Sequence, residues 1–107
     1  MTPTTQLLIT DQALRAINSK RRRAVLQHLR PTDESAVELD ELAEAVVERT
    51  DDTREDFETV EMELHHRDLP QLDATGILKY DGRTQTTRYH GDRGVELLLY
   101  VVDEHFE

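Results

Sequence analysis

Lys20, Arg21, Arg22 and Arg23 stand in a row directly after Ser19. A serine is a good helix N-cap, so the four cations fall on the first turn of a helix over residues 18–30. Its exposed N–H groups already carry partial positive charge, and each cation added there costs about 0.3–1 kcal/mol. Such a run needs an anion. A phosphate would meet the arginine forks and the helix end together. The chain's own carboxylates would also serve, because residues 31–75 hold sixteen acidic residues against three basic ones.

A second basic group flanks a turn. Asp81-Gly82 is a strong hairpin signal, since both residues tolerate the positive φ of a tight turn. Arg83 sits just past it and Arg88 on the return strand, with Thr84, Gln85, Thr86 and Thr87 between them. A basic hairpin tip can reach a phosphate or a minor groove. The helix before it, residues 54–67, places Phe57, Val60 and Leu64 on one face. Its other face shows Glu55, Glu58, Thr59, Met62 and His66, followed by Arg67. It offers no Asn or Gln for adenine, and its carboxylates repel phosphates, so Thr59, His66 and Arg67 are what remains to approach bases.

His65 and His66 are neighbours, about 100° apart on a helix, whereas zinc-binding pairs share one face at i, i+4. No metal site is expected, and His28, His90 and His105 are isolated. There is no nucleophile with a placed base, no glycine-rich phosphate loop and no spaced carboxylate motif. The chain is expected to be no enzyme and to need no cofactor.

The elements that must position these residues follow from periodicity. Leu14 and Ile17 mark a short helix capped by Thr10 or Asp11. Val25, Leu26 and Leu29 form the buried stripe of the next. Residues 37–39 are extended in character, a short strand able to sit against the hairpin. Asp40 then caps a helix whose Leu42, Ala43, Val46 and Val47 face inward. Thr53 to Asp56 has the form of a capping box for the helix that follows. Pro70 lacks the N–H that would bond the carbonyl of His66, so that helix should kink or restart there. Gly76 closes it, and the hairpin follows. Helix, short strand, helix, turn, helix, hairpin is the order of a winged helix-turn-helix.

The expected fold is therefore mainly α with a small β-hairpin, a winged helix-turn-helix with an added C-terminal helix. Residues 1–9 are expected to be a flexible arm, residues 10–91 the winged-helix domain, and residues 92–107 the C-terminal helix. That helix carries Val95, Leu99, Val102 and Phe106 along one stripe and is apolar nearly all round. Two sides must be covered, one by the core and the other by a second subunit. Leu98, Tyr100, Val101 and His105 are the expected contacts of a homodimer. An internal helix or a strand would show the same apolar run.

Composition sets the setting. The chain of 107 residues carries 23 acidic residues against 13 basic, a formal net charge of −10, and only Lys20 and Lys79 are lysine. In molar salt the Debye length is only about 3 Å, so a dense acidic shell repels itself little and stays hydrated. Adaptation to such salt is the expected cause, and acidity then says little against nucleic-acid binding. The first ten residues lack the basic start and apolar centre of a secretory signal. The run at 97–102 is far too short to span a bilayer. A cytoplasmic protein without membrane contact is expected.

Residues 18–29, 37–46 and 64–81, with the arginine run and the pattern LHH..LP.LD..G, resemble the small haloarchaeal winged-helix domains of unknown specific function. That family is broadly similar to winged-helix transcription regulators. The resemblance covers about residues 11–90 and implies a winged helix with a regulatory role. On this view Arg21, Arg22 and Arg23 hold the backbone of double-stranded DNA, the 54–67 helix lies at the major groove, and Arg83 and Arg88 hold the flank. The acidic face of residues 55–63 departs from what a base-reading helix presents. A rival expectation is a protein-interaction module that kept the fold and lost the DNA, its acidic 51–63 surface docking a basic protein partner or mimicking DNA toward one. Burial of the run against Glu41, Glu44 or Glu61 would favour it.

Overall fold

The computed structural model describes residues 11–50 and 56–105. A short-range signal divides the first two helices. Helix α1 spans Asp11–Ile17 and α2 spans Lys20–Leu29. Ser19 is extended at φ −165° and its Oγ accepts the Arg22 N–H at 3.3 Å, so the cap expected from sequence separates the two helices. Val25, Leu26 and Leu29 are fully buried. After a 3₁₀ turn at Arg30–Thr32 come strand β1 (Val37–Glu38) and helix α3 (Leu39–Thr50).

α3 starts one residue earlier than expected. The Leu39 N–H donates to the Gln85 carbonyl at 2.9 Å, and Asp40 lies inside the first turn with its Oδ1 accepting the Glu41 N–H. Thr10 and the capping box at residues 53–55 lie outside the described residues. Asp56 is the N-cap of α4 (Phe57–Glu63), its Oδ1 accepting the Thr59 N–H at 2.9 Å. That bond holds the Asp56 carboxyl below the usual range. Its contribution is present above the ordinary carboxylate pKa and lost as pH falls through the lowered one.

α4 runs into one π-helical turn at Leu64–Asp68 and then α5 (Leu69–Thr75). The Leu69 N–H bonds the Leu64 carbonyl, five residues back. Pro70 sits in the first turn of α5, where its missing N–H costs least. The restart expected at Pro70 is therefore made by widening the turn before it. Gly76 ends α5 at φ 85°, the left-handed closure that glycine adopts freely.

Strands β2 (Leu78–Asp81) and β3 (Thr86–Tyr89) complete an antiparallel sheet in the order β1-β3-β2. Val37 pairs with Thr87, and Leu78 with Tyr89. The hairpin turn differs from the tight turn expected at Asp81-Gly82. Residues 82–85 form the loop, and the positive φ falls on Gln85 at 59°. Asp81 Oδ1 accepts the N–H groups of Arg83 and Thr84, at 2.9 and 3.3 Å, and so folds its own turn. Gln85 takes the left-handed conformation with its carbonyl bonded to Leu39.

The last helix, α6 (Arg93–His105), buries Val95 and Leu99 in the same core and packs along α1. The molecule is mainly helical with a three-stranded sheet, a winged-helix arrangement with a C-terminal helix added. Among the described residues, no helix is long and apolar enough to cross a membrane.

Among the described residues, one buried side-chain group is left without a partner. Thr87 is fully buried, and its Oγ1 finds no hydrogen-bond partner among them. Thr87→Val keeps the shape and removes that burden, so it is expected to stabilise the fold by about 1 kcal/mol. Urea denaturation would check this, and a fall in stability would show that the hydroxyl is satisfied.

Candidate nucleic-acid interface

The arginine run is turned inward on its own protein. Arg21 Nε lies 2.5 Å from Asp68 Oδ2, and its guanidinium is 3.7 Å from Glu63 Oε1. Asp68 is only 1% exposed, so a buried carboxylate is held by a cation from 47 residues away. Arg22 Nη1 lies 3.7 Å from the other oxygen of Asp68. Its Nε and Nη2 also donate to the Arg15 carbonyl at 3.2 and 2.7 Å, and Arg23 Nη1 donates to the Ile17 carbonyl at 2.8 Å. Arg15 and Ile17 are in the last turn of α1, whose carbonyl end favours cations, and the Arg15 carbonyl also accepts the Asn18 N–H at 3.2 Å. The run thus ties α1, α2 and the π-turn together. Lys20 alone of the four is exposed. Glu63 and Asp68 are carboxylates that meet the run, where the expectation named Glu41, Glu44 or Glu61.

On α4 and the π-turn, Glu58, Met62, His66 and Arg67 are exposed, and Thr59 is half-buried. Arg67 pairs with Glu63 at 2.6 Å while staying open to solvent. His65 Nδ1 lies 2.5 Å from the Tyr80 hydroxyl, which ties this helix to β2. Burial, followed by the charges of Asp81 and Glu61, raises the Tyr80 pKa. Among the described residues, no group of histidine and carboxylate side chains could hold a metal ion.

The outer face of the sheet carries Lys79 and Arg88, with Asp81 and, from β1, Glu38 beside them. Alternation along β2 and β3 turns Leu78 and Tyr89 inward and Lys79 and Arg88 outward, and those two cations stand directly opposite each other. Like charges at such positions oppose pairing. Arg83 is exposed in the loop between the strands. Arg88 Nη1 donates to the Glu34 carbonyl at 3.0 Å, which anchors the wing to the loop before β1. Among the described residues, the side chains of Lys79 and Arg83 make no hydrogen bond or ion pair. Sequence reasoning missed Lys79. The signal was there in the register, because Leu78 and Tyr89 are both apolar and each precedes or follows a cation.

The structure brings Arg21, Arg22 and Arg23 onto α1 and Asp68, and Lys79, Arg83 and Arg88 onto the wing. Of the residues expected at a subunit contact, Tyr100 is 57% and Val101 37% exposed. Leu98 packs partly against the core, and Leu97 is the more exposed of the pair. The side chain of His105 lies outside the described residues.

The fold and this outer wing define a winged-helix domain closed by an extra C-terminal helix. By a match over residues 14–88, the chain belongs to the family DUF7344, a domain of unknown function. The match ends before α6. No curated protein and no solved structure matches the chain.

Proposed function

We propose that this protein is a DNA-binding transcriptional regulator of the winged-helix kind, working in a salt-rich cytoplasm and similar to archaeal and bacterial winged-helix regulators. The observation that carries the proposal is the cross-strand pair Lys79 and Arg88 with Arg83 at the loop. Cations opposed across two strands cost stability in the free protein, and a phosphate row between them turns that cost into attraction. Thr59, His66 and Arg67 on the helix before the wing would then approach the major groove. The carboxylates of that helix are screened in molar salt. The arginine run acts in this account as an internal clamp, with Lys20 its remaining solvent-facing charge.

The test is fluorescence anisotropy with mixed duplex DNA over a salt titration, with circular dichroism in the same buffers. Affinity is expected to fall log-linearly with salt, and to vanish in the folded double variant Lys79→Glu, Arg88→Glu. A folded wild type that binds no duplex at any salt would refute the proposal. The inward turn of the run, with exposed Asp40, Glu41, Glu44, Glu48 and Glu58, favours a second reading. There the domain docks a basic protein through its acidic face and leaves DNA alone.

A further inference from the structure

A cleft of about 370 Å³ opens where α1 and α2 meet α5. Its floor is apolar, made by Ala16 and Leu72, both buried, with Ala74 exposed beside them. Arg15 and Arg22 line it from the α1–α2 side and Gln71 from α5. None of the residues that line it is a carboxylate, in a chain whose net charge is −10.

The two arginines are set differently. Arg22 is fixed, with Nε and Nη2 on the Arg15 carbonyl and Nη1 3.7 Å from the buried Asp68. Its charge is therefore already opposed. Arg15 is exposed, and among the described residues neither its side chain nor that of Gln71 makes a hydrogen bond or ion pair. An apolar floor beside one uncompensated cation matches a ligand with an apolar body and a single negative charge. An inorganic anion would leave the floor bare, and a neutral apolar molecule would leave the cation unmet.

We propose that this cleft binds a small organic carboxylate. Its body lies on Ala16 and Leu72, and its carboxylate takes the planar fork of Arg15 with the Gln71 amide as a further donor. The volume is at the small end of ligand cavities, which suits one ring or a short branched chain. The proposal does not rest on DNA binding, since Lys79, Arg83 and Arg88 take no part in the cleft.

Nuclear magnetic resonance of the ¹⁵N-labelled full chain tests it, in the lowest salt at which circular dichroism shows the fold intact. Benzoate is expected to shift the amide signals of Ala16, Leu72 and Ala74 saturably, with half-saturation at about 1 mM. Acetate lacks the body and benzyl alcohol the charge, so each should bind at least about tenfold more weakly. Arg15→Gln should weaken benzoate about tenfold with an unchanged circular dichroism spectrum, because the side chain is exposed. A wild type in which neither benzoate nor hexanoate shifts these signals saturably overturns the proposal. So does an Arg15→Gln variant that binds benzoate as wild type does, or phenyl phosphate binding more tightly than benzoate.

Discussion

Replacing Asp68 with alanine is expected to destabilise the fold by about 3 kcal/mol, at the lower end for breaking a buried ion pair because Arg21 keeps some solvent contact. The carboxylate is 1% exposed, against 16% for the Arg21 side chain. Its removal takes away the carboxylate 2.5 Å from Arg21 Nε and leaves Glu63 at 3.7 Å from the guanidinium. Arg22 is deprived of the same carboxylate. Asp68→Asn keeps one acceptor oxygen and should destabilise less. Both variants can be compared with wild type by urea midpoints at fixed salt. Because the pair is buried, salt should narrow the difference little. A change below about 1 kcal/mol would show that the pair contributes no more than a surface ion pair does.

The second large effect concerns the run itself. Arg22→Glu, Arg23→Glu is expected to cost about 2 kcal/mol, since it removes the guanidinium donors from the Arg15 and Ile17 carbonyls and sets a carboxylate near Asp68. The same variant separates two accounts of the run. If the guanidiniums serve as a clamp, DNA affinity measured where the fold survives should stay close to wild type. If they bind phosphate, affinity should fall and the salt slope should shrink by about 0.9 for each phosphate no longer neutralised. Stability and affinity must therefore be measured on the same samples. A variant as stable as wild type would remove the clamp from consideration.

The elements were legible where their signals are local. Ser19 caps α2, Gly76 closes α5, and the extended pair Val37–Glu38 joins the hairpin as its sequence suggested. Each depends on residues within a few positions of one another. The partner of Arg21 was not legible, because 47 residues separate it from Asp68 and many nearer carboxylates were equally eligible. The hairpin shows a third case. Asp81-Gly82 marked the turn correctly, but the side chain of Asp81 bonds two following N–H groups and lengthens the loop to residues 82–85. The wing's charge pattern could have been read from alternation, had Lys79 been placed opposite Arg88. On α6 the choice between Leu97 and Leu98 depends on helix rotation, which an apolar run does not define.

The widened turn at Leu64–Asp68 bears on how this gene can change length. A π-turn is a helix holding one residue more than the regular ladder needs. Deleting a single codon there would let the segment relax to an ordinary α-helix with α5 still in place, because five residues of a π-turn sweep about the same angle as four of an α-helix. Leu69 and Leu72 would stay in the core, whereas a deletion in the regular turns of α4 would rotate them by about 100°. Related chains should therefore tolerate the loss of one residue between Leu64 and the aspartate, and not within α4 or α5.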